Sequence, residues 1–143
     1  MVHALEEIKR TLVPLGLLID LRPLLGAWPV EIAWGNDYRE VGRLTDIPEA
    51  LSDDEAANRA IDEAARRNWF TLEGGERFSL FYSWDTASDM EQFLHDEWDG
   101  FVQLDEKVGR AAKSAWAVAN ADARVRVRVE MMINHWKKVA NQQ

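Results

Sequence analysis

Asp20 and Arg22 stand two residues apart at the end of a short apolar run, Leu17-Leu-Ile-Asp20-Leu-Arg22. An acid and a guanidinium at that spacing share one face of a strand, so they can pair with each other or hold a polar ligand together. In open α/β sheets ligands gather beyond the carboxyl ends of strands, which makes the two a candidate binding pair, with a structural ion pair as the alternative. Arg124, Arg126 and Arg128 alternate with valines and line one face of a later strand. They could form an anion site, or pair with carboxylates of an overlying helix such as Asp62 or Glu63. Phe78, Leu80, Tyr82 and Trp84 also alternate, so Tyr82 and Trp84 could wall an apolar pocket or pack as core. His135 lies on the last strand, where a lone general base needs only a substrate within reach. The candidate ligand-binding set is therefore Asp20, Arg22, Tyr82, Trp84, Arg126, Arg128 and His135, with no catalytic residue assigned.

Several chemistries find no residues to perform them. The chain has no cysteine, which excludes disulfides, thiolate metal sites and thiol catalysis and fits a cytoplasmic protein. Its histidines, His3, His95 and His135, are not spaced as metal ligands. The acidic stretch His95-Asp-Glu-Trp-Asp99 reads as a solvated helix end. No serine sits in a nucleophile elbow, and no P-loop is present. A net charge of −8 repels phosphate backbones and argues against nucleic acid as a partner. No apolar run reaches membrane length, and acids stand in the first residues where a signal peptide would carry bases. At 143 residues a single domain spanning 1–143 is expected.

The elements that would carry these residues follow from periodicity. Val2, Leu5, Ile8 and Leu12 recur at helical spacing, and Pro14 ends that helix with Gly16 just beyond it. Leu17 to Leu21 is apolar except for Asp20, which predicts a strand covered on both faces. Val30–Trp34 and Tyr38–Leu44 flank a Gly-Asn-Asp turn and predict a hairpin. Ser52-Asp-Asp-Glu55 is a capping box for a helix over 53–68 with Ala57, Ile61, Ala64 and Ala65 inward. Gly74-Gly75 predicts a turn, with a strand over 76–84 after it. Thr86 caps a helix through Met90, Phe93 and Leu94, and a further helix runs over 104–119. Arg124 to Trp136 forms the closing strand, followed by a polar tail from Lys137 to Gln143. The class is α/β or α+β, with a mixed sheet of about four to five strands and helices packed on it.

The stretch Leu5–Pro23, a helix leading into Leu12-Val-Pro-Leu-Gly16 and then an apolar strand ending Asp20-Leu-Arg-Pro23, resembles a segment of class I S-adenosylmethionine-dependent methyltransferases. There a helix leads through Leu-Lys-Pro-Gly-Gly into the fifth sheet strand. Leu15 stands where that motif has its first glycine. The resemblance implies the second half of a Rossmann-like methyltransferase fold, with a variable insertion after the fifth strand. It also implies a cofactor half carrying a Gly-rich loop and an acid for the ribose. No Gly-x-Gly-x-Gly is present in these 143 residues, and so few residues precede Leu5 that the cofactor half is expected to be absent.

In the complete fold the fifth strand lies between two others. An apolar strand without its neighbour needs cover from this chain, from a symmetric copy or from another polypeptide. The expectation is a non-catalytic methyltransferase-like remnant that acts as a dimerising or protein-interaction domain, more a scaffold than an enzyme on its own. One alternative is a subunit or fragment of a methyltransferase whose cofactor half is on another chain; S-adenosylmethionine would bind only if that chain supplied the Gly-rich loop. Another is a small-ligand binding domain. The expected partners are a second copy and a further polypeptide, with neither nucleic acid nor membrane.

Overall fold

The computed structural model describes residues 1–140. Among them, the order is α1 (Val2–Thr11), β1 (Leu17–Pro23), β2 (Pro29–Trp34), β3 (Asp37–Arg43), β4 (Thr45–Asp46), α2 (Pro48–Arg66), β5 (Phe70–Trp84), α3 (Ala87–Glu97), β6 (Val102–Gln103), α4 (Glu106–Ala117) and β7 (Arg124–Lys138). The main sheet has five strands in the order β1-β7-β2-β3, with β5 also paired to β7. β7 runs antiparallel to both β1 and β2, and β2 antiparallel to β3. The fold is α+β with an antiparallel sheet of the size that the sequence pattern predicts. Contacts gather in two compact units. The first takes Met1–Pro23, Ser52–Phe78 and the chain from Met131; the second takes Leu24–Leu51 and Ser79–Glu130.

In the first unit the α1 stripe Val2, Leu5, Ile8 and Leu12 packs on a core of Ile61, Ala64, Trp69, Phe70 and Trp136, with Leu18 beside it. Helix α1 stops where Leu12 turns extended, and Lys138 of β7 donates its ammonium to the Leu12 carbonyl at that end. The reversal that follows places Leu15 at φ 62, a left-handed conformation that costs a Cβ-bearing residue about 1–2 kcal/mol. Gly16 is needed for space, since a Cβ there would lie 2.9 Å from the Val13 carbonyl oxygen.

Pairing of β1 with β7 sorts their side chains by face. Leu18, Asp20 and Arg22 lie opposite Trp136, Asn134 and Met132; Leu17, Ile19 and Leu21 lie opposite Lys137, His135 and Ile133. Leu18 and Trp136 are packed in the helix-covered core. On the other face Leu17, Ile19 and Leu21 are 54%, 53% and 52% exposed. The expectation that both faces of this strand are covered is therefore wrong within the described chain. β1 also stands at the end of the sheet with β7 as its one neighbour.

Two further expectations are corrected. Helix α2 begins at Pro48, not Asp53. Proline at a first helical position loses no hydrogen bond and already has the helical φ, so it starts the helix ahead of the Ser52 box. Gly74 and Gly75 are not a turn but the interior of the 15-residue strand β5. A Cβ on Gly75 would fall 1.9 Å from Asn134 Oδ1 and 2.8 Å from the Ile133 carbonyl, and one on Gly74 would fall 2.9 Å from His135. The glycines are there so that β7 can lie close.

In the second unit Val30, Ile32, Val125, Val127 and Val129 are buried, as are Ala87, Met90 and Leu94 of α3 and Ala112 of α4. Helix α4 packs on β2 and β3. Gly42 of β3 lies so near Val108 that a Cβ would come within 2.7 Å of its methyl carbon. Thr86 caps α3 by accepting from the Asp89 N–H at 3.0 Å, as its sequence predicts. Helix α4 spans Glu106–Ala117 with Asp105 as its cap, a turn shorter than 104–119. The pairing of β4 with β6 is two residues long, too short for an alternating pattern to reveal. The last three residues of the polar tail lie outside the described residues.

Two outcomes test this packing. Replacing Trp136 by Ala should lower stability by about 3–5 kcal/mol in chemical denaturation. Trp136→Phe should cost much less, because the indole N–H is buried without a hydrogen-bond partner among the described residues and its loss leaves no orphan behind. Leu15→Gly should raise stability by about 1 kcal/mol in the same assay, through relief of the left-handed strain.

Candidate functional site

Asp20 and Arg22 come together as their spacing suggests. Arg22 Nε donates to Asp20 Oδ1 at 2.7 Å and an Nη to Oδ2 at 3.0 Å, a bidentate fork. Asp54 of α2 approaches the same guanidinium at 3.9 Å. The pair lies at the side of a groove of about 250 Å³ between α1, β1 and α2, walled by Leu5, Ile8, Leu18 and Ile61. The fork uses both oxygens of Asp20. Arg22 Nη1 is buried with no hydrogen-bond partner among the described residues, with the Asp54 carboxylate 3.9 Å away.

His135 does not join that pair. It lies opposite Ile19, and side chains alternate along a strand, so it projects from the face away from Asp20 and Arg22. Its ring rests over Gly74.

Tyr82 and Trp84 are neighbours in an aromatic cluster with Phe93 and Trp98. Tyr82 meets Trp98 edge-on at 4.8 Å, and Trp84 meets Phe93 at 5.2 Å. Trp28 joins through Trp98 at 5.5 Å and donates its indole N–H to the Leu24 carbonyl at 2.8 Å. Such tilted and edge-to-face contacts are packing geometry, with Tyr82 still 37% exposed.

Arg126 and Arg128 converge on Glu31, which the sequence reading did not single out. Glu31 is fully buried; Arg126 Nε donates to it at 2.8 Å and Arg128 lies 3.1 Å from its other oxygen. Arg126 also stacks on Phe81 at 4.3 Å and on Tyr38 at 5.0 Å, while Arg128 lies over Tyr38 at 5.5 Å. Two guanidiniums sharing one carboxylate leave one positive charge in excess at a partly open surface, the electrostatic requirement for an anion. The expected helix carboxylates are not their partners. Glu63 is held by Arg66 and Arg67 of its own neighbourhood, whose hydrogen bonds keep its carboxyl below the usual carboxylate range, and Arg124 pairs with Asp85 at 3.1 Å. A signal for Glu31 was present: it is the one charged residue in Pro29-Val-Glu-Ile-Ala-Trp34, and a lone acid inside an apolar strand needs a buried partner.

Across these groups the geometry assembles no nucleophile with a base and no cradle for a phosphate. Among the described residues no helix is long and apolar enough to cross a membrane. Comparison with family models, with curated proteins and with solved structures gives no match to this chain.

The Glu31 cluster yields a direct test. Glu31→Ala leaves two partly buried guanidiniums without their carboxylate and should lower stability by about 3 kcal/mol. Asp20→Ala, which removes a part-buried fork but leaves the Asp54 carboxylate near the same guanidinium, should cost less, about 2 kcal/mol. Urea unfolding of the two variants side by side measures the difference.

Proposed function

We propose that the chain is a non-catalytic, methyltransferase-like interaction domain of the cytoplasm that works as a dimer and docks a further polypeptide. The observation that carries this reading is β1: apolar, paired on one edge, with Leu17, Ile19 and Leu21 about half exposed. Covering three such side chains is worth roughly 1 kcal/mol each, and a free apolar edge recruits another chain through its backbone groups.

Two observations support the methyltransferase-like part. The first unit draws together helix α1, strand β1, most of α2 and parts of β5 and β7, while the segment between β1 and α2 and the segment between β5 and β7 fall largely in the other unit. The element order along the chain, a helix and strand, an inserted segment, then helix, strand, helices and a closing strand, is that of the resemblance. Leu15, at the place of the motif's glycine, has the left-handed φ that a glycine would adopt without strain. The non-catalytic part is supported by the Asp20–Arg22 fork, in which both oxygens of Asp20 are taken up by the neighbouring guanidinium of the same strand.

A second reading is favoured by the same free edge. A chain carrying the Gly-rich cofactor half could add its strand beside β1 and complete an S-adenosylmethionine site.

Isothermal titration of the protein with S-adenosylmethionine and S-adenosylhomocysteine, with light scattering on the same sample, tests both. The expected result is no saturable heat and a mass twice the 16.4 kDa of one chain. Saturable micromolar binding by the chain alone overturns the non-catalytic reading. Binding that appears only when a second polypeptide is present replaces it with the subunit reading.

A further inference from the structure

The longest unpartnered edge lies on β5. Its neighbour is β7 on one side, and from Thr71 to Ser83 every residue except Gly74 is exposed. Phe78, Leu80, Phe81 and Tyr82 are 40%, 38%, 46% and 37% exposed. The run Phe78-Ser-Leu-Phe-Tyr-Ser-Trp84 has no charge, no proline and no glycine. A segment of this composition on an open edge pairs with another strand or aggregates. It has none of the devices that block edges.

We infer that this edge pairs antiparallel with β5 of a second copy, centred on Phe81. The inference rests on the dimerising part of the proposed function and assigns it a surface and a register. The axis relating two edge-paired copies is normal to the sheet, so it keeps each side chain on its face and sets only residues of equal parity opposite each other. A centre at Phe81 meets that condition and makes the segment complementary to itself. Phe81 faces Phe81 of the copy, Leu80 faces Tyr82, Ser79 faces Ser83 and Phe78 faces Trp84. One step further, at the bend just past the end of β5, Asp85 comes level with Arg77, twice by symmetry. Apolar residues then meet apolar ones, serine meets serine, and the first charges on either side are opposite in sign. Neighbouring registers lose this. A centre at Leu80 sets Glu76 against Trp84 and Arg77 against Ser83; a centre at Tyr82 sets Ser79 against Asp85.

The flanking charges are free to take part. Arg77 is exposed, and Asp85 has an 83% exposed side chain whose present partner is Arg124 at 3.1 Å; a carboxylate accepts from two guanidiniums at once. That occupant explains why uncharged aromatics are tolerated along the second half of this edge. A partner of different sequence would not need the segment to match itself.

The test is charge reversal and exchange, read as mass by light scattering across a dilution series. Asp85→Arg sets arginine against arginine at two places and should weaken the dimer by at least about 100-fold. Asp85→Arg combined with Arg77→Asp restores opposite signs and should restore the dimer, although the contact with Arg124 stays lost. Because the chain has no cysteine, Ser79→Cys with Ser83→Cys adds an independent readout. Directly opposite residues lie about 4.5–5.5 Å apart at Cα, within disulfide reach, so the double variant should form a covalent dimer on mild oxidation and Ser79→Cys alone should not. A monomeric wild type, a dimer indifferent to Asp85→Arg, an exchange variant that stays monomeric, or equal cross-linking by the single variant each overturns the register. None of these outcomes depends on whether S-adenosylmethionine binds, so failure here is separable from failure of the non-catalytic reading.

Discussion

Every buried backbone N–H and C=O must find a partner, and β7 meets that demand for three of the other four strands of the main sheet. Its last residues pair with β1, its first residues with β2, and it also pairs with β5. A strand that closes the chain in sequence thereby becomes interior in the sheet. Its alternation is kept strictly where valines face a core, at Val125, Val127 and Val129, and the buried positions become even-numbered by Trp136 and Lys138. The double glycine of β5 serves the same end, since backbone of another strand could not lie alongside a Cβ at Gly75.

Electrostatics follows the sheet. Glu31 projects from β2 directly opposite Arg126 of β7, so the ladder that joins those strands also sets the ion pair. A fully buried carboxylate is tolerated because two guanidiniums flank it and aromatic rings cover their outer faces. Asp20 and Arg22 illustrate the smaller case, two residues on one face of one strand that satisfy each other locally. The two clusters differ in charge balance: the fork is neutral, while the pair of guanidiniums on Glu31 carries one positive charge in excess.

Those edges give the molecule its character. β1 has an apolar face that is only half shielded, and β5 has an uncharged aromatic run on an unpaired side. Soluble domains normally end a sheet with charges, prolines or bulges. Retaining apolar residues at both places is consistent with a chain whose surface is completed by others.

Periodicity sufficed to narrow the class to α/β or α+β, and to find all the helices and at least part of each strand of five residues or more, because a buried stripe must repeat with the geometry of its element. It also sufficed to pair Asp20 with Arg22, which share a face two residues apart. It misjudged the start of α2 and the role of Gly74-Gly75, where a local signal competes with a tertiary need. It assigned Arg126 and Arg128 to the wrong acids and passed over Glu31 and Tyr38, since those contacts join residues about ninety positions apart. Whether an apolar strand is covered is likewise not written in the strand. The sequence by itself determined which faces are apolar, because that is a property of residue order. Only the tertiary structure decided which of those faces meet a partner within the chain, because neighbours in a sheet are set by the hydrogen-bonding of strands remote in sequence.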